Sequence, residues 1–124
     1  MVLGIGTDIV EVARITRAIE RHPTSFARRI LTDKEYRAFT ANSQPDHFLA
    51  KRFAAKEALV KALGIGFRQG ISWHNMEVSN NEIGKPVIEL TAKALTTYRN
   101  MGANTIHLSL TDEKAYVLAF VIIS

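Results

Sequence analysis

The order of apolar and polar residues along the chain predicts a mixture of strands and helices. The first residues are rich in isoleucine and valine and alternate weakly, which predicts a strand over residues 2–10. Asp8 interrupts this apolar strand and lies on the same face as Gly4 and Gly6. Apolar residues at helical spacing then predict a helix over residues 11–21, which ends before a proline.

Two further helices are predicted before the middle of the chain. A short one covers residues 25–31. Thr32 has the side chain of a helix N-cap, and Glu35 three residues later completes a capping box. We therefore expect a helix over residues 33–41.

The longest predicted helix begins at Pro45 and ends at Gly64, with proline in its first turn and glycine just past its end. At about 100° per residue its large apolar side chains share one face, with Glu57 at the edge of that face and Lys61 one turn further on. Alanines leave the other side small, so we expect close packing and a largely buried helix. The large residues are Phe48, Leu49, Phe53, Leu59, Val60 and Leu63, and the alanines are Ala50, Ala54, Ala55, Ala58 and Ala62.

Strands predominate in the second half of the chain. Two of them, predicted over residues 73–79 and 86–90, are joined by a turn that contains Asn80, Asn81 and Gly84. The remaining predicted elements are a helix over 91–101 closed by Gly102, an alternating strand over 105–111, a turn at 112–114 and a final strand over 115–123.

These elements predict an α+β fold, in which a mostly antiparallel sheet packs against a long central helix and shorter helices. A length of 124 residues and a hydrophobic fraction of 47% suit one domain over residues 1–124 with a modest core.

The sequence has no cysteine, which excludes disulfides and thiolate metal sites. Its apolar start lacks the features of a signal peptide, and no apolar stretch is long enough to cross a bilayer. We therefore expect a cytoplasmic protein without a membrane partner.

The formal net charge of +4 favours an anionic partner, which can be nucleic acid, a phosphate-bearing small molecule or an acidic protein. The basic residues are not interleaved with aromatic residues, and the sequence lacks RRM, KH and zinc patterns, which argues against nucleic acid. A non-enzymatic adaptor for an acidic protein would account for the arginines. It would leave Asp8 and Glu57 without a role.

Asp8 and Glu57 are the candidate metal ligands. Mg²⁺ prefers oxygen ligands, usually one or two carboxylates together with waters and substrate phosphates. A carboxylate on a strand and another on a helix suit that requirement, and Lys61 can contact a phosphate as a point charge. Two simpler interpretations stay open on spacing alone: Glu57 and Lys61 can be an ordinary i,i+4 helix pair, and Asp8 can cap a turn.

Glycine-containing segments at residues 64–66 and 84–86 can bring backbone N–H groups close to a phosphate. A helix end and a hairpin turn are the simpler explanations for them. The sequence lacks the P-loop and dinucleotide-binding motifs. His107, on the polar side of its strand, can bind an anion or simply face solvent.

Two motifs together resemble a known family. The stretch GTDIVEVARI at residues 6–15 and the stretch KRFAAKEA at 51–58 look like the two signatures of the holo-[acyl-carrier-protein] synthases, the small bacterial type of 4′-phosphopantetheinyl transferase. The resemblance extends to the Gly-Lys-Pro at 84–86 and the HLSLTD at 107–112. It implies that the 4′-phosphopantetheine arm of coenzyme A is moved to a serine of apo-acyl carrier protein. Adenosine 3′,5′-bisphosphate would be released, and the reaction would serve fatty acid biosynthesis.

The same resemblance implies roles for individual residues. Asp8 and Glu57 would hold Mg²⁺ against the pyrophosphate of coenzyme A, Lys61 would steady the phosphates, and Glu57 or a metal-bound water would take the serine proton. A homotrimer with sites at the subunit interfaces is also implied. The residues that would hold the nucleotide end are Arg52, Lys61, Gly64, Gly66, Gly84, Lys85, Pro86 and His107.

A stripe of arginines lies on the first predicted helix. Arg14, Arg17 and Arg21 recur at i, i+3 and i+7, opposite its apolar face. On pattern alone such a stripe is typical of a solvated surface. Because members of the family dock acidic carrier proteins through this helix, the resemblance implies that the three arginines bind the partner protein.

Overall fold

The computed structural model describes residues 1–124, apart from the side chain of Arg68. Its strands form an antiparallel sheet in the order β1–β5–β4 and a separate hairpin of β2 and β3. The α+β prediction is confirmed. In chain order the elements are β1 (Gly4–Glu11), α1 (Val12–Arg21), α2 (Ser25–Ile30), α3 (Asp33–Ala41), α4 (Pro45–Leu63), β2 (Met76–Asn80), β3 (Pro86–Leu90), α5 (Ala92–Asn100), β4 (Ile106–Asp112) and β5 (Tyr116–Ile123).

Helix α4 is the centre of the core. It begins with Pro45 in its first turn and ends at Gly64, whose left-handed φ of 83° caps the last carbonyls, as predicted. All five alanines on its small side are buried, and so are the large apolar residues except the half-buried Phe53. The helix packs against β1 and β5 on the inner face of the three-stranded sheet. Among the described residues, no helix combines the length and apolar composition that a membrane span requires.

The three-stranded sheet has one buried and one exposed face. Antiparallel pairing sets Ile5 opposite Ile122 and Ile9 opposite Leu118, so these side chains point the same way, away from α4. Ile5 remains 59% exposed and Ile9 62% exposed. The outer face of the sheet is therefore apolar and uncovered within one chain.

The capping box of α3 forms as predicted. The Thr32 hydroxyl accepts a hydrogen bond from the Glu35 backbone N–H, and the Glu35 carboxylate accepts one from the Thr32 N–H. The same carboxylate also accepts a hydrogen bond from the ammonium of Lys56, which is fully buried in α4. The sequence analysis gave Lys56 no role.

Two predicted boundaries were wrong. The strand expected from residue 73 begins only at Met76, because Ser72 and Asn75 exchange side-chain and backbone hydrogen bonds that close a 3₁₀ turn over Trp73–Asn75. Asp112, expected in a turn, pairs with Val117 as the last residue of β4. The turn between β4 and β5 therefore lies one residue later than predicted, at 113–115.

Candidate active site

Two glycines bring strand β1 unusually close to helix α4. A Cβ atom on Gly6 would lie 1.9 Å from the Ala58 carbonyl oxygen, and one on Gly4 would lie 2.1 Å from the Ala62 carbonyl oxygen. Any side chain here would push the strand off the helix. Since Asp8 is the next residue on this face of β1, the close approach sets its carboxylate beside α4, on the side that carries Glu57.

Only one oxygen of Asp8 has a partner. Its Oδ1 accepts a hydrogen bond from Lys61 Nζ at 3.3 Å, and the same ammonium donates to the Thr7 carbonyl oxygen at 2.9 Å. Oδ2 is buried and has no hydrogen-bond partner among the described residues. Burial raises the pKa of Asp8, and Lys61 and Arg14 oppose the rise only in part.

Glu57 is electrostatically linked to Asp8. Burial raises the pKa of Glu57, and the negative charge of Asp8 raises it further, whereas Lys61 and Arg14 lower it. Two partly desolvated carboxylates that repel each other, one with an unpartnered oxygen, favour a cation between them. The residues present therefore fit a divalent metal ion.

The simpler interpretations of these residues do not match the geometry. Lys61 forms its ion pair with Asp8 rather than with Glu57 one turn before it. Asp8 lies in the middle of β1, and the residue at the N-cap of α1 is Glu11. Among the described side chains, no three His, Cys, Asp or Glu groups cluster as they do in a metal centre made by protein alone. Two carboxylates plus substrate oxygens suit Mg²⁺, which usually takes few protein ligands.

The arginine stripe borders a groove that leads to this carboxylate pair. Arg14, Arg17 and Arg21 are exposed and line a groove of about 450 Å³ between α1, α2 and α4. Its other lining residues include one carboxylate, a further arginine and four apolar residues. These are Glu57, Arg29, Ile15, Phe26, Phe53 and Trp73.

The apolar floor of the groove was missed by the sequence analysis. Trp73 stacks on Phe53 with 5.3 Å between ring centroids and on Phe67 with 4.1 Å. Periodicity placed Phe53 on the core face of its helix, and Trp73 was assigned to a strand. Because Trp73 comes from a separate 3₁₀ turn, sequence spacing contained no signal for this contact.

Of the residues predicted to hold the nucleotide, Lys61 contacts the carboxylate pair, whereas Arg52, Gly84 and Pro86 do not line the same cavity as that pair. Arg52, Gly84 and Pro86 line a second cavity of about 450 Å³, together with Lys51 and Asp112. Asp8, Glu57 and Lys61 lie outside its lining.

The other predicted nucleotide contacts are dispersed. Lys85 lines a neighbouring cavity of about 430 Å³ beside β3 and α5. Gly64 and Gly66 follow the C-terminal end of α4, and His107 Nε2 lies 3.3 Å from the Ser124 hydroxyl. Apart from Lys61, one chain therefore disperses the predicted nucleotide contacts away from the predicted metal ligands.

Comparison with known proteins identifies the family. A sequence profile of the 4′-phosphopantetheinyl transferase superfamily matches residues 4–121. The chain belongs to this superfamily. Within it, the curated relatives are holo-[acyl-carrier-protein] synthases, and the chain is an enzyme of that kind, a phosphopantetheinyl transferase.

Individual relatives match over nearly their full lengths. The holo-[acyl-carrier-protein] synthase of Pectobacterium atrosepticum is 50% identical over 122 residues, which cover 98% of this chain and 97% of that protein. The crystal structure of the synthase from Neisseria meningitidis has a TM-score of 0.92 at 42% identity and covers 100% of this chain and 99% of its own. A Bacillus anthracis synthase in complex with coenzyme A has a TM-score of 0.82 at 34% identity, and the match covers 99% of this chain and 96% of that one. These structures confirm the predicted fold.

Proposed function

We propose that the enzyme transfers 4′-phosphopantetheine from coenzyme A to a serine of apo-acyl carrier protein, with Mg²⁺ as cofactor, in fatty acid biosynthesis. The observation that carries the proposal is the carboxylate pair of Asp8 and Glu57, with an unpartnered oxygen and Lys61 beside it. The likeness to synthases, one of them in complex with coenzyme A, supports the substrate.

The proposed reaction is a phosphoryl transfer. The serine oxygen forms a bond to the phosphorus that carries pantetheine, and the bond from that phosphorus to the nucleotide breaks. Adenosine 3′,5′-bisphosphate leaves with the electron pair. Such transfers depend mainly on positioning the reactants and neutralising the charge on the phosphates.

Three side chains have proposed roles in that step. Asp8 and Glu57 are the ligands for Mg²⁺, which when bound neutralises charge on the pyrophosphate. Glu57, whose pKa burial raises, is the chain's own group for accepting the serine proton. Lys61 has a half-exposed side chain, so its ammonium can turn from the Thr7 carbonyl oxygen towards a phosphate.

The complete site is proposed to form between subunits of a homotrimer. The cavity lined by Arg52, Gly84 and Pro86 would hold the nucleotide end next to the carboxylate pair of a neighbouring subunit, with contributions from Gly64, Gly66, Lys85 and His107. Two observations support assembly: the two sets of residues lie apart within one chain, and the outer face of the sheet is apolar and exposed.

The carrier protein is proposed to dock over the arginine groove. Acyl carrier proteins are acidic, and Arg14, Arg17 and Arg21 give the groove a basic rim above an apolar floor. The groove is lined by Glu57, so a serine delivered through it would arrive at the carboxylate pair.

Mass spectrometry tests the proposed function. Apo-acyl carrier protein is incubated with coenzyme A and the enzyme, with Mg²⁺ or with a chelator. We expect a mass gain of one phosphopantetheine that is lost with the chelator. An unchanged mass both with Mg²⁺ and with the chelator would refute the proposed transfer. An equal mass gain in the two incubations would refute the requirement for the metal.

A further inference from the structure

We propose that Lys56 is a positioning residue for coenzyme A. Its ammonium binds the Glu35 carboxylate and so leaves the Arg52 guanidinium free to bind a phosphate of the ligand. The inference rests on the proposed function, since it assumes that Arg52 faces the nucleotide. It concerns a buried cluster of three ionic side chains, Glu35, Arg52 and Lys56, which the proposed chemistry does not use directly.

Lys56 forms the shortest hydrogen bond to Glu35. Its Nζ donates to Glu35 Oε1 at 2.6 Å and to the Ile30 carbonyl oxygen at 2.7 Å, and a third contact reaches the Trp73 carbonyl oxygen at 3.2 Å. The other carboxylate oxygen, Oε2, accepts from the Val78 backbone N–H at 2.8 Å. Both oxygens of Glu35 therefore accept hydrogen bonds of 2.9 Å or shorter, one of them from the Thr32 N–H.

Arg52 is left without a comparable partner. Its Nε lies 3.9 Å from Glu35 Oε2, too far for a hydrogen bond, and is buried without a partner among the described residues. The guanidinium stacks over the Phe48 ring, 4.4 Å from its centroid. Stacking holds the plane of the guanidinium in place and leaves its N–H groups uncommitted.

The carboxylate that lines the same cavity as Arg52 is also paired with a lysine. Asp112 lines the same cavity as Arg52, but it forms an ion pair with Lys51 at 3.2 Å. Glu35 and Asp112 are therefore both paired with lysines. The buried cluster of Glu35, Arg52 and Lys56 contains two cations and one anion. A further carboxylate, Glu77, raises the pKa of Lys56, whereas Glu35 is the carboxylate that raises the pKa of Arg52. The cation without a close carboxylate is therefore Arg52, which faces the cavity.

An anion in the cavity would complete this arrangement. A phosphate accepts in-plane hydrogen bonds from a guanidinium and supplies the missing negative charge. The pyrophosphate of coenzyme A is assigned to the carboxylate pair, so the phosphate left for Arg52 is the 3′-phosphate of the nucleotide. If Lys56 were removed, Glu35 would be free to pair with Arg52 and would compete with the ligand.

Lys56→Met tests this competition. We expect adenosine 3′,5′-bisphosphate, measured by calorimetry, to bind about tenfold more weakly, the size of one charge-assisted hydrogen bond. The KM for coenzyme A should rise in parallel, with kcat and the KM for the carrier protein within about twofold of wild type. Lys93→Met, which removes an exposed lysine on α5, is the charge-matched control and should bind normally.

A second variant separates competition from loss of structure. In Lys56→Met combined with Glu35→Gln, Arg52 has no carboxylate to pair with, so bisphosphate affinity should return to within about threefold of wild type. Equal affinity in Lys56→Met and wild type would overturn the inference, and so would failure of the double variant to recover. If wild type itself bound neither the bisphosphate nor coenzyme A, the proposed function would fail instead.

The wild-type protein provides a test that no folding defect can affect. The guanidinium N–H resonances of Arg52 in nitrogen-15 spectra should shift on addition of adenosine 3′,5′-bisphosphate. A ligand that binds without changing these resonances would show that Arg52 does not contact it.

Discussion

Lys61 lies between Thr7 and Asp8 of a strand more than fifty positions away, with its Nζ 3.3 Å from Asp8 Oδ1. This contact satisfies one oxygen of the carboxylate and leaves Oδ2 buried without a partner. Glu57, one turn earlier on the same helix, adds a second partly desolvated charge. This electrostatic arrangement costs stability, and a bound cation would offset that cost.

Asp8→Asn should make the metal-free protein slightly more stable at neutral pH. Burial raises the pKa of Asp8 above its ordinary 3.8, so the folded state binds this proton more tightly than the unfolded state does. Between the pKa of Asp8 in the unfolded state and its higher pKa in the folded state, the free energy of unfolding falls as pH rises, and it is regained as pH falls. Because the site is partly solvated, the expected gain is a few tenths of a kcal/mol.

Urea unfolding at pH 7 and pH 4, with and without Mg²⁺, measures this effect. Wild type should be stabilised by Mg²⁺ at pH 7, whereas Asp8→Asn should not respond to it. Asp33→Asn, at an exposed carboxylate, is the control. A variant clearly less stable than wild type without metal would mean that Asp8 supports the fold rather than the site.

Gly6→Ala should destabilise the protein by about 3 kcal/mol or more. The added Cβ would meet the Ala58 carbonyl oxygen at 1.9 Å, and neither backbone can move without disturbing the core. Gly102→Ala is the comparison: its added Cβ has open space, and the cost is about 1 kcal/mol for its positive φ of 77°. Chemical denaturation measures both, and equal losses would argue against the close contact of β1 with α4.

The elements that position the site could be predicted because local patterns specify them. Proline and glycine marked both ends of α4, and the alternation of β1 placed Asp8 on the face of Gly4 and Gly6. The capping box of α3 was predicted from Thr32 and Glu35 alone.

Contacts between distant segments could not be predicted in this way. The sequence analysis gave Lys56 no role, because its burial depends on a contact with Glu35, 21 positions away. The floor of the arginine groove depends on a 3₁₀ turn at Trp73 that the strand prediction missed. The spacing of Arg52 and Gly84 contained no indication that they meet in a cavity apart from Asp8.

Ile9→Glu should prevent assembly. Ile9 is 62% exposed on the apolar outer face, opposite Leu118 of the central strand, and a buried charge there would be unpaired in a trimer. Analytical ultracentrifugation should show a trimer for wild type and a monomer with little activity for the variant. Ile83→Glu, at an exposed isoleucine of the β2–β3 turn, should remain trimeric. An active wild-type monomer at micromolar concentration would refute the interfacial site.

Reversal of Arg17 and Arg21 to glutamate should raise the KM for acyl carrier protein at least about tenfold at low salt, with the KM for coenzyme A nearly unchanged. Arg14 is left intact because its charge influences the pKa of both Asp8 and Glu57. Arg37→Glu, on the exposed side of α3, is the control. Steady-state kinetics with each substrate varied in turn gives both constants, and if neither KM changes the carrier protein docks elsewhere.

The stoichiometry of the reaction tests the central claim most directly. Holo-carrier protein, measured by intact mass, and adenosine 3′,5′-bisphosphate, measured by chromatography, are followed in one reaction mixture. We expect one bisphosphate for each carrier protein that the wild type modifies. The rate should be at least about a hundredfold lower for Glu57→Gln. Glu89→Gln, which changes an exposed carboxylate of β3, is the control and should have the wild-type rate. Release of bisphosphate without modification of the carrier protein, or full activity of Glu57→Gln, would contradict the account.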